Sequence, residues 1–241
     1  MSRTIRFLVA ACCCLLTSCG TPPAERQATE DVPPLASRTE AAPEQDDRVL
    51  VVFLGDSLTA GYGLEEEQAH PAIVGSALDA EGFPVRVVNA GVSGDTTAGG
   101  LARLDWLLRQ EPDVLVVSLG ANDGLRGLAL EHTEGNLRRI VERAREAGAR
   151  VLLSGMLMPP NYGPWAEEYN AVFPRLAAEL DVPLIPFLLE GVADRPELNL
   201  ADGIHPNVEG QRRVAKTVLP HLRPLVAAAA GASAAASGPS P

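Results

Sequence analysis

The sequence predicts an α/β domain of three layers, with helices on both faces of a five-stranded, mainly parallel sheet. Two observations carry this. Short apolar runs of four to six residues recur along the chain, most closed by glycine or asparagine, and unbroken runs of that length suit strands covered on both faces. Between them lie longer segments whose apolar residues repeat at helical spacing. Regular β-α-β-α alternation implies parallel strands joined by right-handed crossovers.

Strands are expected at Val49–Leu54, Val85–Val88, Val114–Leu119 and Val151–Ser154, with a weaker fifth at Leu184–Phe187 that Pro186 interrupts. Helices are expected at Pro71–Glu81, Leu101–Gln110, Gly135–Ala147, Tyr169–Leu180 and Val208–Leu222. The Gly135–Ala147 segment shows the pattern well: Leu137, Ile140, Val141 and Ala144 fall on one side, arginines and glutamates on the other. In open parallel sheets, ligands collect at the carboxyl ends of the strands. The residues that follow each strand are therefore where chemistry is expected.

Outside this core the composition changes. Residues 1–18 combine Arg3 and Arg6 with an apolar run from Phe7 to Leu16, the layout of a secretory signal. Ten apolar residues are too few to span a hydrocarbon layer of roughly 30 Å as a helix. The ending Leu16-Thr17-Ser18-Cys19 resembles a bacterial lipobox, which implies cleavage before Cys19 and lipidation of its thiol. Gly20, in place of aspartate, does not suggest retention at an inner membrane. Residues 19–47 are rich in proline and charge and poor in large apolar side chains, so they are expected to form a disordered tether. Residues 226–241, mostly Ala, Gly, Ser and Pro, are expected to form a disordered tail. One folded domain is left, at 48–225.

Charge and cysteine content exclude several functions. The net charge is −11, and removing Arg3 and Arg6 with the first eighteen residues takes it to −13. Such a surface repels phosphate backbones, so no nucleic-acid partner is expected. All four cysteines (Cys12, Cys13, Cys14 and Cys19) lie at the N-terminal end, so the domain has no disulfide framework and no thiolate metal site. Neither phosphate-binding glycine pattern is present.

Four polar or glycine-rich segments converge on the same sheet edge: GDSLTAGYG from Gly55, NAGVSGDTT from Asn89, GAND from Gly120 and DGIHP from Asp202. In order and spacing they resemble the four motif blocks of the SGNH (GDSL) hydrolase superfamily, across about residues 48–222. The stretches GDTTAGGLARL, GANDGLRG and PPNYG look like the branch that holds a bacterial multifunctional acyl-CoA thioesterase/lysophospholipase and arylesterases. The resemblance implies a flavodoxin-like fold, a serine esterase activity without a cofactor, and an oxyanion hole formed by the backbone N–H of Ser57 and Gly91 and the side chain of Asn122.

The residues themselves support this chemistry. A serine hydroxyl is a poor nucleophile until a base takes its proton. Ser57, in a tight turn after the first strand, is placed to present its oxygen at the sheet edge, although a serine there can also simply bond its own backbone. Of His70, His132, His205 and His221, only His205 lies in a loop at that edge with an acid, Asp202, three residues earlier. Asp202 can accept from Nδ1–H of the imidazole and stabilise the imidazolium. The other histidines fall at helix starts or within the last helix, where solvent-facing roles suffice. No third or fourth ligand accompanies them at metal-binding spacing, so no metal is expected. Asp56, Asp95 and Asp123 are read as loop scaffolds or helix caps.

The stretch Met156–Gly163 after the fourth strand resembles the relatives' substrate-lining loop, with Tyr162 as its substrate-contacting residue. Its Met-Leu-Met-Pro-Pro wording departs from the Leu-Pro-Ala form of the thioesterase, so no acyl-chain preference carries over. The expected substrates are small acyl or aryl esters, thioesters or lysophospholipids, and the expected place is the bacterial envelope, periplasmic or at the outer membrane through the anchor. Two rivals are a glycan O-deacetylase of the same fold and a lipoprotein that binds acyl ligands without turnover.

Overall fold

A computed structural model describes residues 46–236. The expected signal segment, the lipidation site at Cys19 and nearly all of the tether lie outside the described residues.

The chain alternates as expected: β1 (Val49–Gly55), α1 (Ser57–Ala60), α2 (His70–Ala80), β2 (Val85–Gly91), α3 (Thr97–Leu108), β3 (Val114–Ser118), α4 (Ala121–Leu125), α5 (Leu130–Glu146), β4 (Arg150–Ser154), α6 (Pro164–Leu180), β5 (Leu184–Ile185) and α7 (Val208–Ala236). The five strands pair in the order β2-β1-β3-β4-β5, all parallel. This is the doubly wound order in which the chain reverses its winding between β1 and β3, leaving a crevice at their carboxyl ends. Helices α3, α5 and α6 pack together, and α2 packs with α7. Every residue of β1 and of β3 is buried, which is why their sequences are continuous rather than alternating.

Several boundaries differ from expectation, each for a local reason. β2 runs on through Asn89 and Ala90 to Gly91, paired with Phe53, Leu54 and Gly55 of β1. β5 ends at Ile185, before Pro186, which has no N–H to donate to a ladder. α3 starts four residues before the periodic apolar pattern, where the Thr96 side chain accepts from the Gly99 N–H at 3.3 Å. α6 starts at Pro164, whose fixed φ suits the first helical position.

The expected disordered tail at 226–241 is corrected through Ala236, because α7 continues to that residue. Alanine is the best helix former, and Leu219, Leu222, Val226 and Ala229 keep one buried face going past the expected end. Pro220 and Pro224 are exposed on the other side. The Arg150 guanidinium of β4 donates to the Ala228 carbonyl at 3.1 Å, binding this last stretch to the sheet. Val226 is fully buried, and burying a valine contributes about 2 kcal/mol. Deleting residues 226–241 is therefore expected to lower unfolding free energy by at least that amount in urea titrations. An unchanged midpoint would mean that the extension contributes nothing to the domain.

Candidate active site

The site is built from the loops that leave the carboxyl ends of the strands. After β1, Asp56 turns the chain: its Oδ1 accepts from the Leu58 N–H at 3.0 Å, capping the one-turn helix α1. Ser57 is the first residue of that helix. Gly61 closes the turn in a left-handed conformation, φ +75°. The turn therefore projects Ser57 from the strand end with its own N–H left without an intrahelical acceptor.

The opposing loop precedes α7. Asp202 Oδ1 accepts from the N–H groups of Ile204 and His205, both at 3.0 Å, and its Oδ2 meets His205 Nδ1 at 2.8 Å. The Leu200 N–H donates to the His205 carbonyl at 2.7 Å, and Asn199 bridges to Pro206. Asn207 Oδ1 then caps the start of α7 by accepting from the N–H groups of Glu209 and Gly210. With a carboxylate at Nδ1, the ring carries its proton there and leaves Nε2 as an acceptor. Nε2 lies 2.9 Å from Ser57 Oγ. Ser57, His205 and Asp202 thus form a continuous hydrogen-bonded chain, and the ring of Tyr62 lies against His205 with centroids 4.5 Å apart.

Electrostatics keep the acid of this chain ionised. The N–H groups of Ile204 and His205, together with the imidazole, hold the Asp202 carboxyl down at about 2. Asp202 therefore stays charged through mild acid. Burial works the other way on Asp56, pushing its carboxyl up from 3.8 to about 6 against the opposing Leu58 N–H.

Asn122 lies on α4, the turn after β3. Its Nδ2 donates to the Asp95 carbonyl at 2.9 Å and faces Asp56 Oδ2 across 3.4 Å. Gly120, just before it, sits at φ +117°, and its carbonyl accepts from the Tyr169 hydroxyl at 2.7 Å. Asp95 and Asp123 serve as the expected scaffolds. Asp95 pairs with Arg103, which also donates to the Gly55 carbonyl. Asp123 accepts from the Thr97 N–H and hydroxyl at 2.9 and 2.6 Å, tying α4 to the start of α3.

Three expectations need correction. Gly91 is not at the cavity. Its N–H donates to Asn89 Oδ1 at 3.0 Å, and a Cβ there would come within 2.2 Å of the Ala60 nitrogen. Its glycine lets α1 pack onto the end of β2. Gly94, three residues later at φ +81°, lines the cavity beside Ser57 and Asn122, and its N–H has no acceptor among the described residues. The second correction is Tyr162, which packs toward Trp165 and does not line the cavity, whereas Tyr62 does. The third is His70, which faces the core rather than solvent: it is fully buried, with its ring edge-on to Phe53.

The cavity in front of Ser57 has a volume of about 410 Å³. Met156, Met158, Phe187 and Leu189 give it apolar walls, and Leu125 and Ile204 are exposed apolar residues that also line it. Asn170 shapes this wall by bonding both the N–H and the carbonyl of Met158. Among the described residues no cluster of His, Cys, Asp or Glu is suited to hold a metal ion.

A family model described as GDSL-like Lipase/Acylhydrolase matches residues 53–213, which span both halves of this site. The chain belongs to that family. It is 46% identical over 178 residues to the esterase TesA of Pseudomonas aeruginosa, covering 73% of this chain and 89% of that protein. It is 43% identical over 178 residues to thioesterase 1/protease 1/lysophospholipase L1 of Escherichia coli K12, covering 73% of this chain and 84% of that protein. The crystal structure of TesA superposes with a TM-score of 0.71 at 46% identity, covering 74% of this chain and 99% of that one. These matches agree with the expected family and with the α/β fold.

His70 gives the site a testable pH signature. Burial lowers its basicity from the ordinary 6.5 to about 4, so the unfolded chain takes up its proton first as pH falls. Stability from the neutral ring is complete above pH 6.5 and is lost as pH drops toward 4. Asp56 acts in the opposite sense, its contribution fading as pH rises through about 6. Comparing the protein with His70→Phe at each pH cancels Asp56. The expected result is a difference in unfolding free energy that shifts by on the order of 3 kcal/mol between pH 7 and 4, measured by urea unfolding. A difference independent of pH would contradict the buried neutral state.

Proposed function

We propose that this carboxylic ester hydrolase works through an acyl-enzyme on Ser57, with His205 as its base and Asp202 as the base's partner. The carrying observation is the hydrogen-bonded chain from Ser57 Oγ through His205 to Asp202, opening on an apolar cavity. As Ser57 Oγ attacks the ester carbon, its proton passes to His205 Nε2, and Asp202 stabilises the resulting imidazolium. Negative charge develops on the former carbonyl oxygen. The N–H groups of Ser57 and Gly94 border the cavity as its donors, and the Asn122 amide joins them by releasing its longer contact, the 3.4 Å one to Asp56 Oδ2. The imidazolium then protonates the departing alcohol or thiol. Water, deprotonated by the same nitrogen, attacks the acyl-serine and releases the acid and the free enzyme.

The lining suggests the substrate class. The apolar walls from Met156, Met158, Phe187 and Leu189 suit an acyl chain. Lysophospholipids, aryl esters and acyl thioesters are the proposed substrates, in keeping with the lysophospholipase and thioesterase in the Escherichia coli relative's name.

We further infer that the chain is lipidated at Cys19 and held in the bacterial envelope. The support is the apolar run from Phe7 to Leu16 followed by Leu16-Thr17-Ser18-Cys19.

Ser57→Ala is expected to lower kcat on p-nitrophenyl esters by roughly 10⁴-fold or more and to abolish labelling by a fluorophosphonate probe. Asn122→Ala should cost about 10²–10³-fold in kcat. Labelling that persists in Ser57→Ala would place the nucleophile elsewhere. For the anchor, Cys19→Ala should move the protein from the membrane to the soluble fraction, and unchanged fractionation would refute lipidation.

A further inference from the structure

Beneath α1 lies a buried polar group of residues that the reaction does not touch. Gln211, in the first turn of α7, is almost wholly inaccessible, and its Nε2 donates to the Leu58 carbonyl at 3.0 Å. Leu58 is the residue after the nucleophile. The Gln211 Oε1 accepts twice from His70, from the backbone N–H and from ring Nδ1–H, both at 2.9 Å. These three bonds set the amide orientation and the imidazole tautomer together. Leu58 O needs a donor and the His70 N–H needs an acceptor, so Oε1 must face His70 and Nδ1 must carry the proton.

His70 retains this bond at a cost. Its Nε2 is buried with no partner among the described residues, a loss that a plain aromatic ring in the same space beside Phe53 would avoid. The imidazole is therefore used for its Nδ1–H, which fixes Gln211. Gln211 stands six residues after His205 on the helix that directly follows the His205 loop. One amide thus ties the turn carrying Ser57 to the element carrying its base. It closes a ring of short links whose outer member is the 2.9 Å contact between Ser57 Oγ and His205 Nε2.

We propose that Gln211, locked in place by His70, is a positioning residue that sets the alignment of the Ser57 hydroxyl with His205. This rests on Ser57 being the nucleophile. Neither Gln211 nor His70 lines the cavity, so their removal changes turnover and leaves substrate binding alone.

The test compares Gln211→Leu, Gln211→Glu, His70→Phe and His70→Asn in the full-length chain. The readouts are kcat and KM on a p-nitrophenyl ester, the rate of inactivation by a fluorophosphonate, and Tm. Gln211→Glu keeps the acceptor for His70 but presents an oxygen to the Leu58 carbonyl. His70→Phe fills the space without a donor, and His70→Asn restores an N–H near the Nδ1 position while leaving a cavity.

Gln211→Leu, Gln211→Glu and His70→Phe are expected to lose roughly ten- to hundredfold in kcat and in inactivation rate, with KM within about twofold of the parent. His70→Asn should recover most of the turnover despite a lower Tm. Folded variants with parental kcat and inactivation rate would overturn the proposal. So would losses that follow Tm regardless of which hydrogen bond is kept. If Gln211→Leu does not fold, the His70 pair decides. Failure of the parent protein to react with the probe would instead refute Ser57 as nucleophile, which separates the two readings.

Discussion

The contact between Ser57 Oγ and His205 Nε2 joins residues 148 positions apart, and much of the architecture serves to bring them together. Ser57 stands at the end of the first strand, and His205 stands before the last helix. They meet because β1 lies next to the winding reversal of the sheet and because α7 packs on the same face as α2. A hydrogen bond tolerates only a few tenths of an ångström. Its supports are correspondingly rigid: a fully buried strand, a capped one-turn helix and a loop fastened by its own aspartate.

The acidic residues around Ser57 show how such a site tolerates carboxylates. Only Asp202 belongs to the chain of groups that ends at Ser57, and it is the most exposed of the four. Three N–H donors, two backbone and one imidazole, orient it and keep it charged. Asp95 is neutralised by Arg103, and Asp123 is occupied by Thr97. Asp56 is buried, capped by one backbone N–H, and faces the Asn122 amide. A free negative charge here would oppose the oxyanion that forms on the ester, so each acid other than Asp202 is fastened to a separate partner.

The sheet was readable from sequence because its strands are buried on both faces, and burial leaves a composition signal. The candidate residues were readable because Ser57 and Asn122 fall in short turns directly after strands, and Asp202 and His205 in the segment before the last helix. What escaped depends on long-range or local geometry. The turns α1 and α4 are too short for any periodicity. Gly91 and Gly94 stand three apart in one block, and only the Asn89 side chain and the left-handed turn at Gly94 decide which N–H is free. His70 resembles a surface residue at a helix start until Gln211, 141 positions away, covers it. The alanine-rich end reads as low complexity by composition, while in the fold Val226 and Ala229 face inward and the Arg150 guanidinium bonds the Ala228 carbonyl.

The direction of β1 also governs how the enzyme can be attached to other objects. The strand enters at Val49 and leaves at Gly55 beside Ser57, so its two ends are separated by about 20 Å of buried backbone. A support, fusion partner or surface joined just ahead of Val49 would meet the domain at the pole opposite the cavity. Immobilisation through that side leaves the substrate opening unobstructed. A partner inserted into the loop before α7 would instead part His205 from Ser57.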